Sequence, residues 1–590
     1  MKNNLEILRH STAHLMATAV LELFPEAKFG IGPAITNGFY YDFELNQNLT
    51  PQDLNKIDKK MRELIKKNLP FEKKEITIEK AIDLFKKLNQ PYKIELLEDI
   101  KKYGSTEENA RSENLNLQLV SRVTLYQVGK FIDLCRGPHV KSTKELGIFK
   151  LHKIAGAYWR GNEKNKMLQR IYALTFFTKK ELNDHLNFLE EAEKRDHREL
   201  GKNLDLFSIS EQLGAGLALW HPKGATTRKK IEDFWKNEHE KRGYQLIYSP
   251  HIGKLNLWKK SGHWDFYREN LYAPIKIDEE EYLLKPMNCP FHILIYQSQL
   301  RSYRELPIRY AELGTVYRYE RSGVLHGLTR VRGFTQDDAH LFCTSEQLEK
   351  EIIGVLKLTI FMMKTFGFNN YQVFLSTRPE KSIGSDKMWN EATLALKKAL
   401  EKTKINYEID KGEGVFYGPK IDVKTIDALG RAWQGPTIQV DFNFPERFDI
   451  NYIDEKGKKI RPVMIHRTVL GSMERFFGVL IEHYKGVFPT WLAPIQIYLT
   501  PVDKDHWKYC QKLTEEFQSL ELRVWLDKSR ETMGYKIRKA EGQKIPYILV
   551  VGNKEIRSKK LNIRLLGGKI KQMTQRSFVN NILKEVKSRK

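Results

Sequence analysis

Residues 309–342 read RYAELGTVYRYERSGVLHGLTRVRGFTQDDAHLF, a stretch whose spacing predicts two strands joined by a loop at Ser322 to Gly327. Alternate residues of a strand share a face, so Arg318 and Glu320 point one way on the first strand. On the second, Arg330, Phe334, Gln336, Asp338 and His340 have one parity, and an unbroken strand would present all of them to a single side. A surface strand can carry polar alternation by chance. An aromatic ring and both charge signs on one face, beside a strand with an Arg/Glu face, are better explained as a floor for a charged planar ligand.

Around this stretch the chain divides by pattern into several domains, as its 590 residues and 69.3 kDa require. Residues 202–493 alternate strands and helices between Gly and Pro punctuation. Their opening helix, about Lys223 to Arg242, leads through Gly243 into the strand-like YQLIYSP. Residues 1–177 mix short helices with strand-like runs at Phe39 to Phe43 and Arg170 to Phe176, an α+β domain. Residues 178–201 place Leu182, Leu186 and Leu189 among charges and predict an amphipathic connecting helix. In residues 494–590 the apolar runs IQIYL, LRVWL and YILVV alternate with helical stretches, as in a compact α/β domain.

Composition narrows the function classes. Charged residues make up 29% of the chain and apolar ones 41%, and no run approaches the roughly 18 apolar residues of a membrane helix. The start, MKNNLEILRHSTAHLMA, has no basic n-region, apolar core or cleavage site, so no membrane association and a cytoplasmic location are expected. Cys135, Cys289, Cys343 and Cys510 form no CxxC pair, which excludes a disulfide framework or a zinc ribbon. The net charge is +25, and residues 495–590 hold 22 Lys and Arg against 10 Asp and Glu. That concentration marks the C-terminal domain as the part that faces a polyanion.

The motifs carry a specific resemblance. Arg318-Tyr319-Glu320 followed by Arg330 to Phe334 resembles motif 2 of the class II aminoacyl-tRNA synthetases, and HRTVLGSMERF at His466 to Phe476 resembles motif 3. The helix and strand ending at Pro250 resemble motif 1, which builds the dimer interface of that class. Within the class, MNCPFH at Met287, RVRGFTQDDAH at Arg330 and FYGPKID at Phe416 resemble the threonyl-tRNA synthetases of bacteria. The resemblance implies an antiparallel-sheet catalytic domain, an α+β editing domain, an α/β anticodon-binding domain and a homodimer.

It also implies roles. Activation attacks the ATP α-phosphate with the threonine carboxylate, a reaction served by positioning and charge neutralisation, for which arginine forks are suited. By resemblance, Arg318 bridges carboxylate and α-phosphate, and Glu320 takes the adenine amino group. Phe334 and Arg475 sandwich the adenine, Arg330 and Lys420 contact phosphates, and Mg2+ accompanies the ATP. Cys289, His340 and His466 come from distant segments whose spacing identifies no metal; the resemblance makes them ligands of one Zn2+ that selects threonine through its hydroxyl. Gln336, Asp338, Tyr417 and Gln439 complete the threonine site, and His263 assists transfer to tRNA. Gly435 and Thr468 stand where the bacterial enzymes carry other small residues.

His10 and His14 are four apart on a predicted helix, and Cys135 and His139 in DLCRGPHV repeat that spacing. From the residues alone, a zinc hydrolase and packed histidines both stand, although Ser11 occupies the position where HExxH requires Glu. The resemblance makes the four the site that hydrolyses mischarged seryl-tRNA. Most bacterial relatives carry a ubiquitin-sized domain before this pair; only nine residues precede His10, so that domain is expected to be missing. At the other end, Glu555, Arg564 and Lys544 are the implied anticodon readers. The cysteine/histidine set and the N-terminal quartet disfavour a prolyl or seryl enzyme, and Arg318, Glu320, Lys420 and Arg475 disfavour a catalytically dead RNA-binding relative.

Overall fold

The computed structural model describes residues 2–106 and 121–589. They form two compact units, Met1–Glu190 and Glu191–Lys590. Among the described residues no helix is long and apolar enough to cross a membrane.

The first unit is built around the helix Lys2–Leu23, whose residues 11–20 are buried on every side. Its apolar residues pack on an antiparallel sheet in the order Lys28–Phe29, Gly38–Glu44, Met167–Thr175, Phe149–Tyr158, with Ala34–Ile35 paired to Gly38–Glu44. A second sheet joins Glu72–Thr77, Arg122–Val128 and Phe131–Leu134. The segment carrying Cys135 and His139 leaves the last of these strands. It turns at Gly137, whose φ of +68° and approach to the Tyr126 ring leave no room for a Cβ.

The second unit holds an eight-stranded sheet in the order Gln245–Leu246, Ile308–Tyr317, Gly333–Cys343, Val463–Ser472, Ala432–Asp441, Lys420–Ile426, Tyr371–Ser376, Glu408–Asp410. Its pairs are antiparallel except the first and last, which are parallel. The helices Pro222–Glu240, Leu348–Thr365 and Asp386–Thr403 contribute to the large apolar core of this unit. The C-terminal sheet runs Val524–Leu526, Ile497–Pro501, Tyr547–Val551, Lys560–Leu565, Ile570–Thr574, with the first three parallel and the rest antiparallel. The α+β multidomain class is therefore as expected.

Three local expectations are corrected. The loop between the motif 2 strands spans 318–332, not 322–327, because Arg332 N–H donates to Gly216 C=O at 2.7 Å and Arg318 N–H to Arg332 C=O at 2.8 Å. Arg330 accordingly lies off the strand that carries Phe334 to His340. Residues 178–201 form not one helix but parts of two, Lys179–Glu193 and His197–Asn203, since Asp196 caps the second by accepting Arg198 N–H at 2.8 Å. The strand after Gly243 is only Gln245–Leu246.

Candidate active sites

Strand register builds the first site. Across adjacent strands His340, His466, Gln439 and Lys420 fall in one row, and Asp338, Thr468 and Thr437 in the next. With strands about 4.8 Å apart, Asp338, His466, Thr468, Thr437 and Gln439 from three of these strands meet in one cavity lined also by Cys289, Arg318, Glu320, Arg330, Phe334, Gln336, Tyr417 and Arg475. Gly435 lines it as well. Gly314 permits a close approach there: a Cβ would lie 2.5 Å from the amide of Asn288, which donates to Asp338 at 3.2 Å.

Three arginines give this cavity its positive rim. The Arg318 guanidinium lies 5.1 Å over the Phe334 ring, and its Nε donates to Pro286 C=O at 3.3 Å. Arg475 sits in the first turn of the helix Met473–Tyr484, capped by Ser472, and its Nε donates to Thr329 C=O at 3.0 Å. Burial, with Arg318 and Arg330 nearby, lowers its pKa. Arg330 and Glu320, assigned to opposite ends of a nucleotide, are paired with each other at 3.0 Å. The net worth of this exposed pair is about 0–1 kcal/mol, so either partner can be released for another contact at little cost.

Cys289, His340 and His466 have potential ligand atoms within 4.8 Å of one another, all buried. Ligands on a tetrahedral zinc lie roughly 3.3–3.8 Å apart. The donor atoms are also orientated for a cation. His466 Nε2 pairs with Asp441 at 2.9 Å, leaving Nδ1 buried without a partner, and His340 Nδ1 meets His292 Nδ1 at 2.8 Å, leaving Nε2 so. Asp441 and the chain His292–Glu312, closed at 3.1 Å, are the outer partners that usually fix metal-bound imidazoles. The residues thus fit a zinc ion.

Beside the cluster, burial raises the pKa of Asp338, and Tyr417 O–H donates to Gln439 through a short hydrogen bond. His263 is completely buried. Its Nδ1 lies 2.7 Å from Ser261 Oγ, which also approaches Trp258 C=O at 3.2 Å, and its Nε2 has no partner. Burial, reinforced by His466 and Arg318, holds its pKa down at about 3. Lys420 lies opposite Gln439 but turns its ammonium to Asp422 at 2.8 Å.

The second site is in the N-terminal unit. His10 and His14 on one helix meet Cys135 and His139 from the turn, with Cys135 Sγ 3.3 Å from His10 Nε2 and 3.2 Å from His139 Nε2. Burial lowers the pKa of all three histidines, to about 2 for His139, and pushes the Cys135 thiol up to about 12. Four neutral groups therefore face each other. The charge lies behind them, where Asp133 pairs with Lys93, accepts from Tyr41 O–H at 2.6 Å and lies 3.4 Å from His14 Nε2.

In the C-terminal domain, Glu555 is buried. It accepts Gly552 N–H at 2.8 Å at the start of its own helix and Asn562 through a short bond. Arg564 is paired with Glu541 at 2.7 Å and half-exposed, while Lys544, at φ +55°, follows the helix Met533–Gly542.

Sequence reasoning missed Lys93, Asp133, Tyr41, His292 and Asp441. His292 closes MNCPFH and Asp133 opens DLCRGPHV, but no spacing marks a partner for any of the five, and the groups they meet are distant in sequence, so only an alignment or a fold could have found their roles. A further cluster, Asp196, His197 and Glu482, has no free imidazole atom: Nδ1 pairs with Glu482 at 2.6 Å and Nε2 accepts Leu328 N–H at 3.0 Å. It ties the motif 2 loop to the motif 3 helix and needs no ion.

Comparison with known proteins agrees with this geometry. Residues 272–484 match the class II tRNA synthetase core domain (G, H, P, S and T), residues 496–588 an anticodon-binding domain, and residues 123–172 the threonyl and alanyl tRNA synthetase second additional domain. The chain is 56% identical to the threonine–tRNA ligase of Dehalococcoides mccartyi (strain CBDB1), over 100% of this chain and 97% of that one. It is 53% identical to that of Nitrosococcus oceani, over 95% and 85%. The crystal structure of the RNA binding domain of threonyl-tRNA synthetase from Cryptosporidium parvum is similar at a TM-score of 0.64 and 40% identity, covering 66% of this chain and 98% of that one. A shared core, two shared accessory domains and this identity over the full chain establish that it belongs to the threonine–tRNA ligase family.

Proposed function

We propose that this chain activates threonine with ATP, transfers it to tRNA(Thr), and hydrolyses seryl-tRNA(Thr) in its N-terminal region. The observation that carries the reading is the buried Cys289/His340/His466 cluster, with two orphaned imidazole nitrogens, opening beside Asp338 into an arginine-rimmed cavity. In this reading Arg318 bridges the threonine carboxylate and the α-phosphate and Phe334 and Arg475 sandwich the adenine, with Glu320, Arg330 and Lys420 released from their present partners to hold the nucleotide and its Mg2+. Asp338 accepts the threonine hydroxyl, and Gln336, Tyr417 and Gln439 hold the amino acid. His263, kept neutral with an unpartnered Nε2, assists transfer to the tRNA ribose hydroxyl.

Cys289, His340 and His466 would hold one zinc ion, which, when bound, supplies a Lewis acid that takes both the amino group and the hydroxyl of threonine. Valine lacks the hydroxyl, whereas shape alone would separate the two by only about 100-fold. Serine offers both groups, so a second sieve is required. His10, His14, Cys135 and His139 supply it, in a domain spanning 1–177 that a linker at 178–201 connects to the catalytic domain at 202–493. The basic domain at 494–590 reads the anticodon, with Arg564 and Lys544 reaching bases and Glu555 contributing from its capped position. The protein works as a cytoplasmic homodimer through motif 1, and sedimentation that found a fully active monomer would remove that part. Charging of tRNA(Thr) with threonine, serine and valine in turn tests the whole: stable ester with threonine, transient ester with serine and none with valine are expected. Equal, stable charging with all three would defeat the reading.

A further inference from the structure

Ser11 lies between the two histidines of the N-terminal quartet and is fully buried. Its hydroxyl has one proton and three polar neighbours: Ile7 C=O at 2.7 Å, Val140 N–H at 3.0 Å and His139 Nδ1 at 3.1 Å. A carbonyl oxygen only accepts, so the shortest contact takes the proton, in the i to i−4 pattern common for helical serines. Val140 N–H only donates and uses one lone pair. The second lone pair faces His139 Nδ1. If Nδ1 were bare, two lone pairs would meet in a buried site, and leaving such groups unsatisfied costs about 1–3 kcal/mol.

We propose that Ser11 is a positioning residue that holds His139 in its Nδ1–H tautomer and so directs a bare Nε2 toward Cys135 and the interior of the quartet. The opposite ring nitrogen agrees with this. Nε2 lies 3.2 Å from Cys135 Sγ, and that thiol, kept protonated by burial, has an S–H to donate. The ring is also gripped from the sides: Phe71 stacks on it at 5.2 Å, and Tyr126 meets it edge-on at 4.4 Å. Position 11 is where a metalloprotease helix would carry its glutamate. Here the residue acts on a histidine instead, leaving an acceptor at Nε2 for a water, or for the hydroxyl or ammonium of a bound aminoacyl ester. This last consequence rests on the editing reading, whereas the tautomer does not.

Magic-angle-spinning NMR of the full chain with 15N-labelled histidine tests it, with the His139 signal identified by its loss in His139→Gln. The parent should show a protonated Nδ1 and a bare Nε2. In Ser11→Ala the unpaired Nδ1–H should give way to Nε2–H, for which Cys135 Sγ becomes the acceptor, and seryl-tRNA hydrolysis should fall about tenfold, the scale of one lost hydrogen bond. A parent ring protonated on Nε2, or an unchanged tautomer in Ser11→Ala, overturns the proposal. A changed tautomer with undiminished hydrolysis overturns its catalytic consequence. If the parent hydrolyses no seryl-tRNA at all, the editing reading fails, and the spectra still decide the tautomer.

Discussion

Replacing Asp441 by Asn would reverse the tautomer of His466, a proposed metal ligand, without touching it. Oδ1 of Asp441 accepts the backbone amides of Asn443 at 2.7 Å and Phe444 at 3.0 Å, and Oδ2 takes His466 Nε2 at 2.9 Å. Asparagine has one side-chain oxygen, which the two backbone donors claim, so its NH2 turns to His466. Nε2 must then accept, and the ring proton moves to Nδ1, the atom that has to be bare to bind a metal. Losing an outer-shell carboxylate weakens metal affinity by about 10–100-fold. The reversed tautomer places Asp441→Asn at the upper end, about 100-fold or ~2.7 kcal/mol. Asp441→Ala removes the bond without dictating the tautomer and should cost nearer tenfold. Competition against a chromophoric chelator at neutral pH measures both. Zinc affinity in Asp441→Asn within about twofold of the parent would refute the assignment of His466 Nδ1 as a ligand atom.

Three further outcomes are expected. His14→Ala or Cys135→Ala should let seryl-tRNA accumulate while valyl-tRNA stays scarce and threonine activation stays near normal; rapid clearance of seryl-tRNA by either variant contradicts the quartet's role. Burial depresses His139 from 6.5 to about 2 and lowers His10 and His14, so the folded rings stay neutral where the unfolded chain binds protons. Stability of the N-terminal unit must then fall as pH drops from 6.5 toward 2, with His139 alone contributing ~2 kcal/mol at about pH 5, and a melting temperature unchanged between about pH 7 and pH 5 would count against this. Arg564→Ala removes only a half-exposed pair with Glu541, worth ~0–1 kcal/mol to stability, yet should raise the KM for tRNA about tenfold if the arginine reaches a base; an unchanged KM removes it from the anticodon site.

What the residues revealed and what they hid follows from range. The common face of Gln336, Asp338 and His340 was legible because strand parity is local, and the helical spacing of His10 and His14 for the same reason. Arg330 was misplaced because its backbone pairs with His326 inside the loop, and the neighbouring Arg332 is held by Gly216, more than a hundred positions away, which no periodicity encodes. The proposed metal ligands needed a resemblance, since His340 and His466 meet through strand register and Cys289 joins them from the start of the helix Cys289–Gln297. Their outer partners Asp441 and His292, and Lys93 and Asp133 behind the second site, could not be read at all. A buried charge paired across the fold looks in sequence like any surface charge. For Glu555 the resemblance implies a base contact, and its capping of Gly552 N–H and its bond to Asn562 are set by neighbours that no periodicity marks.

On the proposed function, the cavity on the sheet activates threonine and tells it from valine by its hydroxyl. Amino-acid-dependent ATP–pyrophosphate exchange, run on the purified chain without tRNA, tests this most directly. Exchange with threonine and with serine, and none above background with valine, is the expected result. Valine-dependent exchange approaching that with threonine, or no exchange with threonine, would contradict it.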